Sequence, residues 1–144
     1  MFLEIKPNCK KPIYEQLILE IKRGILNEEL LPGESLPGVR VLASDLGINM
    51  HTVNKVYKHL ENENILVKGR GGFIVNPEKF SKPEAEVEEV MKEKLYELVM
   101  EKELFQVTDE KLYQLLNEVK AIFLKKAQDD QFHTRQLRDM EVHS

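Results

Sequence analysis

Apolar positions recur at helical spacing through most of the chain. Ile13, Leu17, Ile21 and Ile25 fall every four residues, flanked by Tyr14, Ile18 and Leu26. That is one stripe of a helix, and Pro12 suits its first turn, where a missing N–H does no harm. Leu31-Pro32-Gly33-Glu34 then forces a turn. A short second helix is predicted from about Val39, burying Leu42, Ala43 and Leu46, with Gly47 as the left-handed residue that stops it. Asn49 reads as the N-cap of a third helix, and Ile48 and Val53 sit at the two positions of a hydrophobic staple. Val53, Val56, Tyr57 and Leu60 give this helix a buried face, and Asn64 ends it.

The period then changes. Ile65-Leu66-Val67-Lys68 and Phe73-Ile74-Val75 flank Gly69-Arg70-Gly71-Gly72, two short apolar runs around a glycine-rich tip. This predicts a β-hairpin. Helix, short helix, glycine turn and helix make a helix-turn-helix, and the hairpin behind it makes a winged one.

All seven glycines and all six prolines lie at or before Pro83, and the last 61 residues hold neither. Residues 77–83 read as a linker between a winged domain over residues 1–76 and a helical domain over residues 84–144. The first tail helix is predicted from about Glu84 to Phe105, with Val87, Met91, Leu95 and Leu98 on one stripe and Val90 and Val99 beside it. Thr108 is the expected N-cap of the next helix, with Asp109 and Glu110 at its positive end. Leu112, Leu115, Leu116, Val119, Ile122 and Phe123 form its apolar stripe. Residues 129–144 are polar with scattered Phe132, Leu137, Met140 and Val142, and are expected either to fray or to extend this helix. The fold class expected is mainly α with one small β-hairpin. Two helices cannot bury two wide apolar stripes on their own, so the tail is expected to dimerise.

Composition adds a division of labour. The 144 residues are 42% apolar and 32% charged, with a net charge of −4. Residues 1–82 carry 12 Lys+Arg against 10 Asp+Glu, and residues 83–144 carry 9 against 15. The excess of acid therefore sits in the tail, and the winged half is slightly basic. No apolar run approaches the roughly 20 residues that span a bilayer, which excludes a membrane-spanning helix. The N-terminus lacks a basic start followed by an apolar block, so no signal peptide is expected. A single cysteine, Cys9, cannot pair within the chain, and the expected compartment is a reducing cytoplasm.

Enzyme chemistry finds little support. The glycine-rich tip lies between strands and does not open a helix, as a phosphate-binding loop would. His51 and His59 are two turns apart, too far for one metal ion. His133 and His143 lie in the polar tail, and Cys9 has no histidine near it in sequence. No catalytic residue, metal site or cofactor is expected. The third helix offers more. With its apolar face turned inward, Met50, His51, Thr52, Asn54, Lys55 and Lys58 remain outside, while Glu61 and Glu63 come only at its far end. Hydrogen-bonding and basic side chains near a helix start suit base edges and phosphates in a major groove about 12 Å wide. Arg40 opens the second helix and can present two parallel donors to a guanine edge or a phosphate. Arg70 stands between glycines, which let a backbone approach closely, and arginine is favoured in narrow minor grooves.

These stretches resemble the N-terminal domain of GntR-family bacterial transcription regulators. The likeness rests on Pro12-Ile13-Tyr14-Glu15-Gln16-Leu17, Leu31-Pro32-Gly33-Glu34-Ser35-Leu36-Pro37 and Val39-Arg40-Val41-Leu42-Ala43. It continues through Leu46-Gly47-Ile48-Asn49, Thr52-Val53-Asn54-Lys55-Val56-Tyr57, Leu60-Glu61 and Gly69-Arg70-Gly71-Gly72-Phe73-Ile74-Val75. The short tail resembles that of the YtrA-type subfamily. The resemblance implies a homodimeric regulator, more often a repressor, on a pseudo-palindromic double-stranded operator. It implies DNA contacts by Arg40, Asn49, His51, Thr52, Asn54 and Lys55, and by the wing through Arg70 and Gly71. It implies dimerisation through the tail. Lys58 joins the DNA-contact candidates from its place on the outer face of the third helix. The family usually has serine where this chain has Gly38, often a second basic residue where it has Met50 or Asn54, and Gly-Thr-Phe where it has Gly71-Gly72-Phe73. The residues specify neither an operator sequence nor a small-molecule effector. A rival reading is a winged-helix interaction or architectural module whose tail binds a different chain.

Overall fold

The computed structural model describes residues 10–78, 80 and 82–122. Its elements run α1 (Ile13–Leu26), α2 (Val39–Leu46), α3 (Met50–Asn62), β1 (Leu66–Gly69), β2 (Gly72–Val75) and α4 (Glu84–Leu104). A further helix, α5, covers residues 109–122, where the described residues end. The mainly helical, winged architecture is the one the sequence pattern predicts. The chain divides into two units, Met1–Phe80 and Ser81–Ser144.

In the first unit the three helices and the hairpin share one core. Leu17, Ile18 and Ile21 of α1 meet Leu42 and Ala43 of α2, Val53, Val56, Tyr57 and Leu60 of α3, and Leu66 and Val75 of the hairpin. Leu30 and Leu36, from the segment between α1 and α2, complete it. Burying each large apolar side chain stabilises the fold by roughly 1.5–3 kcal/mol. Pro12 is the N-cap of α1 and so lies one position ahead of the expected first turn. Leu26 departs from its expected place beside the stripe. It is 65% exposed, because the core side of α1 centres on Leu17 and Ile21, and Leu26 is turned away from both. The chain leaves α1 through Asn27, which is buried, and Glu28 at φ +61°. Arg23 closes this corner with ion pairs of 3.2 Å to both Glu20 and Glu29.

The helix-turn-helix is set by two local devices. Gly47 takes φ +66°, and its amide and that of Ile48 donate to the last carbonyls of α2. Asn49 then caps α3, its Oδ1 accepting the His51 N–H at 2.8 Å. At the other end of α3, Asn64 turns left-handed at φ +59°, and the Ile65 amide donates to the Leu60 carbonyl at 3.0 Å.

The hairpin register pairs Leu66 with Val75, Val67 with Ile74, Lys68 with Phe73 and Gly69 with Gly72. A third segment lies alongside β2. Ser35 bridges Ile74, the Gly33 and Leu36 amides donate to the Val75 and Phe73 carbonyls, and the Val75 amide donates to the Glu34 carbonyl. The turn read at Leu31–Glu34 therefore continues into an extended segment that anchors the wing through one bridge and three backbone hydrogen bonds.

In the second unit α4 ends at Leu104, followed by Phe105 and by Gln106 at φ +56°. The Thr108 hydroxyl accepts the Lys111 N–H at 3.1 Å, capping α5 as its sequence predicts. Lys102 is buried at this corner and pairs with Asp109 at 2.7 Å and Glu103 at 3.0 Å. Of the tail stripes, Val87 and Leu112 are half-buried. Met91, Leu95, Leu98, Leu115, Leu116, Val119 and Ile122 are exposed. Phe123 and residues 129–144 lie outside the described residues. Among the described residues, no helix is long and apolar enough to cross a membrane.

Candidate nucleic-acid interface

The outer face of α3 follows from its inner one. At about 100° per residue, the side opposite Val53, Val56, Tyr57 and Leu60 carries His51, Lys55 and Lys58. All three are exposed. Asn54 and Thr52 lie on the two flanks of that side and are half-exposed. Met50 opens the helix at its exposed end. Asn49 is exposed too, and its carboxamide oxygen is engaged in capping. His59, also on α3, has different surroundings. Its Nε2 meets Glu63 at 2.9 Å and its ring meets Tyr14 edge-on at 6.1 Å, while Glu63 pairs with Lys22 of α1 at 3.1 Å. His59 therefore ties α3 to α1, whereas His51 faces outward.

Arg40 is the second residue of α2 and is exposed. Gly38 caps that helix without a side-chain hydrogen bond, consistent with the missing serine hydroxyl. Arg70 and Gly71 form the two-residue tip between the paired Gly69 and Gly72, and both are exposed. Gly72 takes φ +133°, a backbone that L side chains rarely adopt. A threonine in this conformation would be strained. Gly71 has no such demand: a Cβ there would meet nothing within 4 Å. Among the described residues, Arg40, Lys55, Lys58 and Arg70 form no ion pair with a carboxylate.

One side chain holds these parts in register. Tyr57 lies in the core of α3, and its hydroxyl donates to the Pro37 carbonyl at 2.7 Å, just ahead of α2. Its ring packs edge-on against Phe73 of the wing, with centroids 5.4 Å apart. Burial pushes the Tyr57 hydroxyl well above its ordinary pKa, so it stays protonated and donating. The sequence pattern placed Tyr57 in the core without locating the partner of its hydroxyl. A polar tip on a buried aromatic was the available signal, since such hydroxyls usually find a partner. Among the described residues, no group of three or more His, Cys, Asp or Glu could hold a metal ion.

Comparison with known proteins gives this arrangement a context. Residues 13–75 match the model for bacterial regulatory proteins of the gntR family. The chain is 38% identical over 101 residues to the HTH-type transcriptional repressor YtrA of Bacillus subtilis, covering 69% of this chain and 77% of that protein. Among solved structures it resembles a transcriptional antiterminator from Listeria monocytogenes EGD-e, with a TM-score of 0.74 and 27% identity, over 85% of this chain and 92% of that one. It also resembles YtrA from Sulfolobus acidocaldarius, a GntR-family transcription factor, with a TM-score of 0.53 and 35% identity, over 65% of this chain and 96% of that one.

Proposed function

The chain belongs to the GntR family of bacterial regulatory proteins, of the YtrA type, and from that membership we propose that it is a repressor that binds a pseudo-palindromic operator as a homodimer. Its class is that of a transcription regulator with a winged helix-turn-helix DNA-binding domain, and not that of an enzyme. The finer assignments are ours. Residues 1–76 bind DNA, residues 77–83 link, and residues 84–144 dimerise, in the cytoplasm.

The observation that carries this reading is the outer face of α3, free of carboxylates through its first three turns, together with the exposed guanidiniums of Arg40 and Arg70, which form no ion pair among the described residues. His51, Thr52, Asn54 and Lys55 meet base edges and phosphates in a major groove, with Asn49 and Lys58 at the two ends of the contact. Arg40 reads or anchors at a guanine. Arg70 and Gly71 enter the adjoining minor groove, where the missing side chain at Gly71 leaves room for the sugar-phosphate wall.

The tail supplies the second half-site. Leu95 and Leu116 are 53% and 52% exposed in the single chain, and they belong to stripes that also include Val87, Met91, Leu98, Leu112, Leu115, Val119, Ile122 and Phe123. Symmetric pairing of two tails hides the same patch on each copy. It places two winged domains on one duplex, so the second half-site is met at high effective concentration. An effector, where one exists, binds at such an interface or on the winged domain.

Selection of bound duplexes from a randomised pool by the full-length protein, combined with sedimentation, tests the reading. An enriched inverted repeat and a dimer are expected. A monomer that enriches no sequence would favour the rival, a winged module whose tail binds another chain.

A further inference from the structure

The described cations of the winged unit fall into two sets. Lys22 and Arg23, on α1, are neutralised by Glu63 and by Glu20 and Glu29. Arg40, Lys55, Lys58, Lys68 and Arg70 form no ion pair among the described residues, and neither do Lys10 and Lys11 ahead of α1. Four of the unpaired cations already have a place in the proposed interface. Lys68 does not, because the sequence pattern reads it only as the end of an apolar run.

Its position is defined by the hairpin register. Lys68 pairs directly with Phe73, and cross-strand partners project on the same face of an antiparallel pair. That face is identified by its neighbours. Leu66 and Val75, the pair one step nearer the core, are both buried, and Phe73 packs edge-on against Tyr57 of α3 at 5.4 Å. Lys68 therefore stands on the side of the wing that faces α3, past the edge of the core, and it is exposed there. It is two residues from Arg70 at the tip.

We propose that Lys68 is a phosphate-binding residue that grips the DNA backbone passing between α3 and the wing. This rests on the reading that α3 occupies a major groove and the wing tip the adjoining minor groove. In B-form DNA those two grooves are separated by one sugar-phosphate ridge. A protein that enters both with α3 and with Arg70 brings that ridge into the crevice between them. Lys68 is the cation on the wing's α3-facing side. An ammonium on a flexible stem suits a phosphate, which asks for charge and not for planar bidentate geometry. Such a contact positions the protein and carries no sequence information.

The experiment uses the full chain, a mixed-sequence duplex and a series of KCl concentrations, with affinity read by fluorescence anisotropy. Lys68→Gln is expected to weaken binding roughly tenfold, the scale of one charge-assisted hydrogen bond. It is expected to make the slope of log affinity against log salt shallower by about 0.9, the value for one phosphate. Lys68→Arg keeps the charge and restores the slope. Lys94→Gln, which removes an exposed charge from α4, leaves the slope unchanged. A slope unaffected by Lys68→Gln, or lowered equally by Lys94→Gln, overturns the assignment while leaving the regulator reading in place. A wild-type chain that binds no duplex overturns both.

Discussion

The Tyr57 hydroxyl and the Pro37 carbonyl are 2.7 Å apart, a hydrogen bond that joins the core of α3 to the residue pair leading into α2. With Phe73 against the same ring, one side chain relates α3, the Arg40 end of α2 and the wing. Tyr57→Phe keeps the ring and removes the bond. It is expected to cost about 0.5–1.5 kcal/mol of unfolding free energy. The variant also changes the alkaline limb. Burial raises the Tyr57 pKa, so the unfolded chain loses this proton first, and stability falls as pH rises above the unfolded value of about 10. Denaturant melts between neutral pH and pH 11 should show a shallower alkaline fall for Tyr57→Phe than for the wild type.

Arg40→Ala separates base reading from charge. A bidentate guanine contact is worth about 1–3 kcal/mol of discrimination, so binding to the selected operator should fall by that much. Binding to mixed-sequence DNA should fall far less. Equal losses on both duplexes would reduce Arg40 to a phosphate contact.

The wing gives a paired prediction. Arg70→Ala removes an exposed tip charge without touching the core, so the melt should be unchanged while operator affinity and salt slope both drop. Gly72→Ala should do the reverse to stability. At φ +133° a Cβ is strained, and about 1–3 kcal/mol of stability should be lost. A Gly72→Ala chain with an unaltered melt would show that the tip relaxes into another conformation at no cost.

Much of this layout is legible in the sequence because it is written locally. Asn49 as cap, Gly47 as left-handed stop and Val53, Val56, Tyr57 and Leu60 as one face all follow from spacing within a few residues. What escaped is non-local. Ser35 and Leu36 are held extended only because β2 is there to bond them, nearly forty residues away. Leu30 is buried and Leu26 exposed, an order that depends on how the chain turns past Gly24 and Asn27. Lys102 reads as one more surface lysine of a charged helix until Asp109 comes round to meet it. Within the proposed interface, the residue types on α3 can be read from the sequence, whereas the proposed place of Lys68 comes from the hairpin register.

Lys102 controls the corner between α4 and α5. Its hydrogen bonds to Asp109 and then Glu103 hold its pKa above the ordinary lysine value. The stability this adds is fully present below the unfolded value of about 10.4 and is lost as pH rises through the folded value. Asp109→Asn should therefore loosen the corner at neutral pH, read as faster amide exchange at residues 105–112. The difference from wild type should shrink at strongly alkaline pH.

Leu116→Asp in the full chain places a charge in the middle of the α5 stripe. Leu116 is 52% exposed among the described residues, so the helix content should persist. Sedimentation should show a monomer, and affinity for the inverted repeat should fall to that of a single half-site. A dimer that survives both this change and Leu95→Asp would move the interface away from the tail.

The bare apolar stripes of α4 and α5 have a regulatory corollary once tails pair with tails. A protein that must find its own copy before it can hold both half-sites responds to its abundance as the square of concentration, as long as monomers predominate. Halving the number of chains in the cell then lowers the two-site form fourfold. On that reading the dose response steepens through hydrophobic surface alone, before any ligand enters.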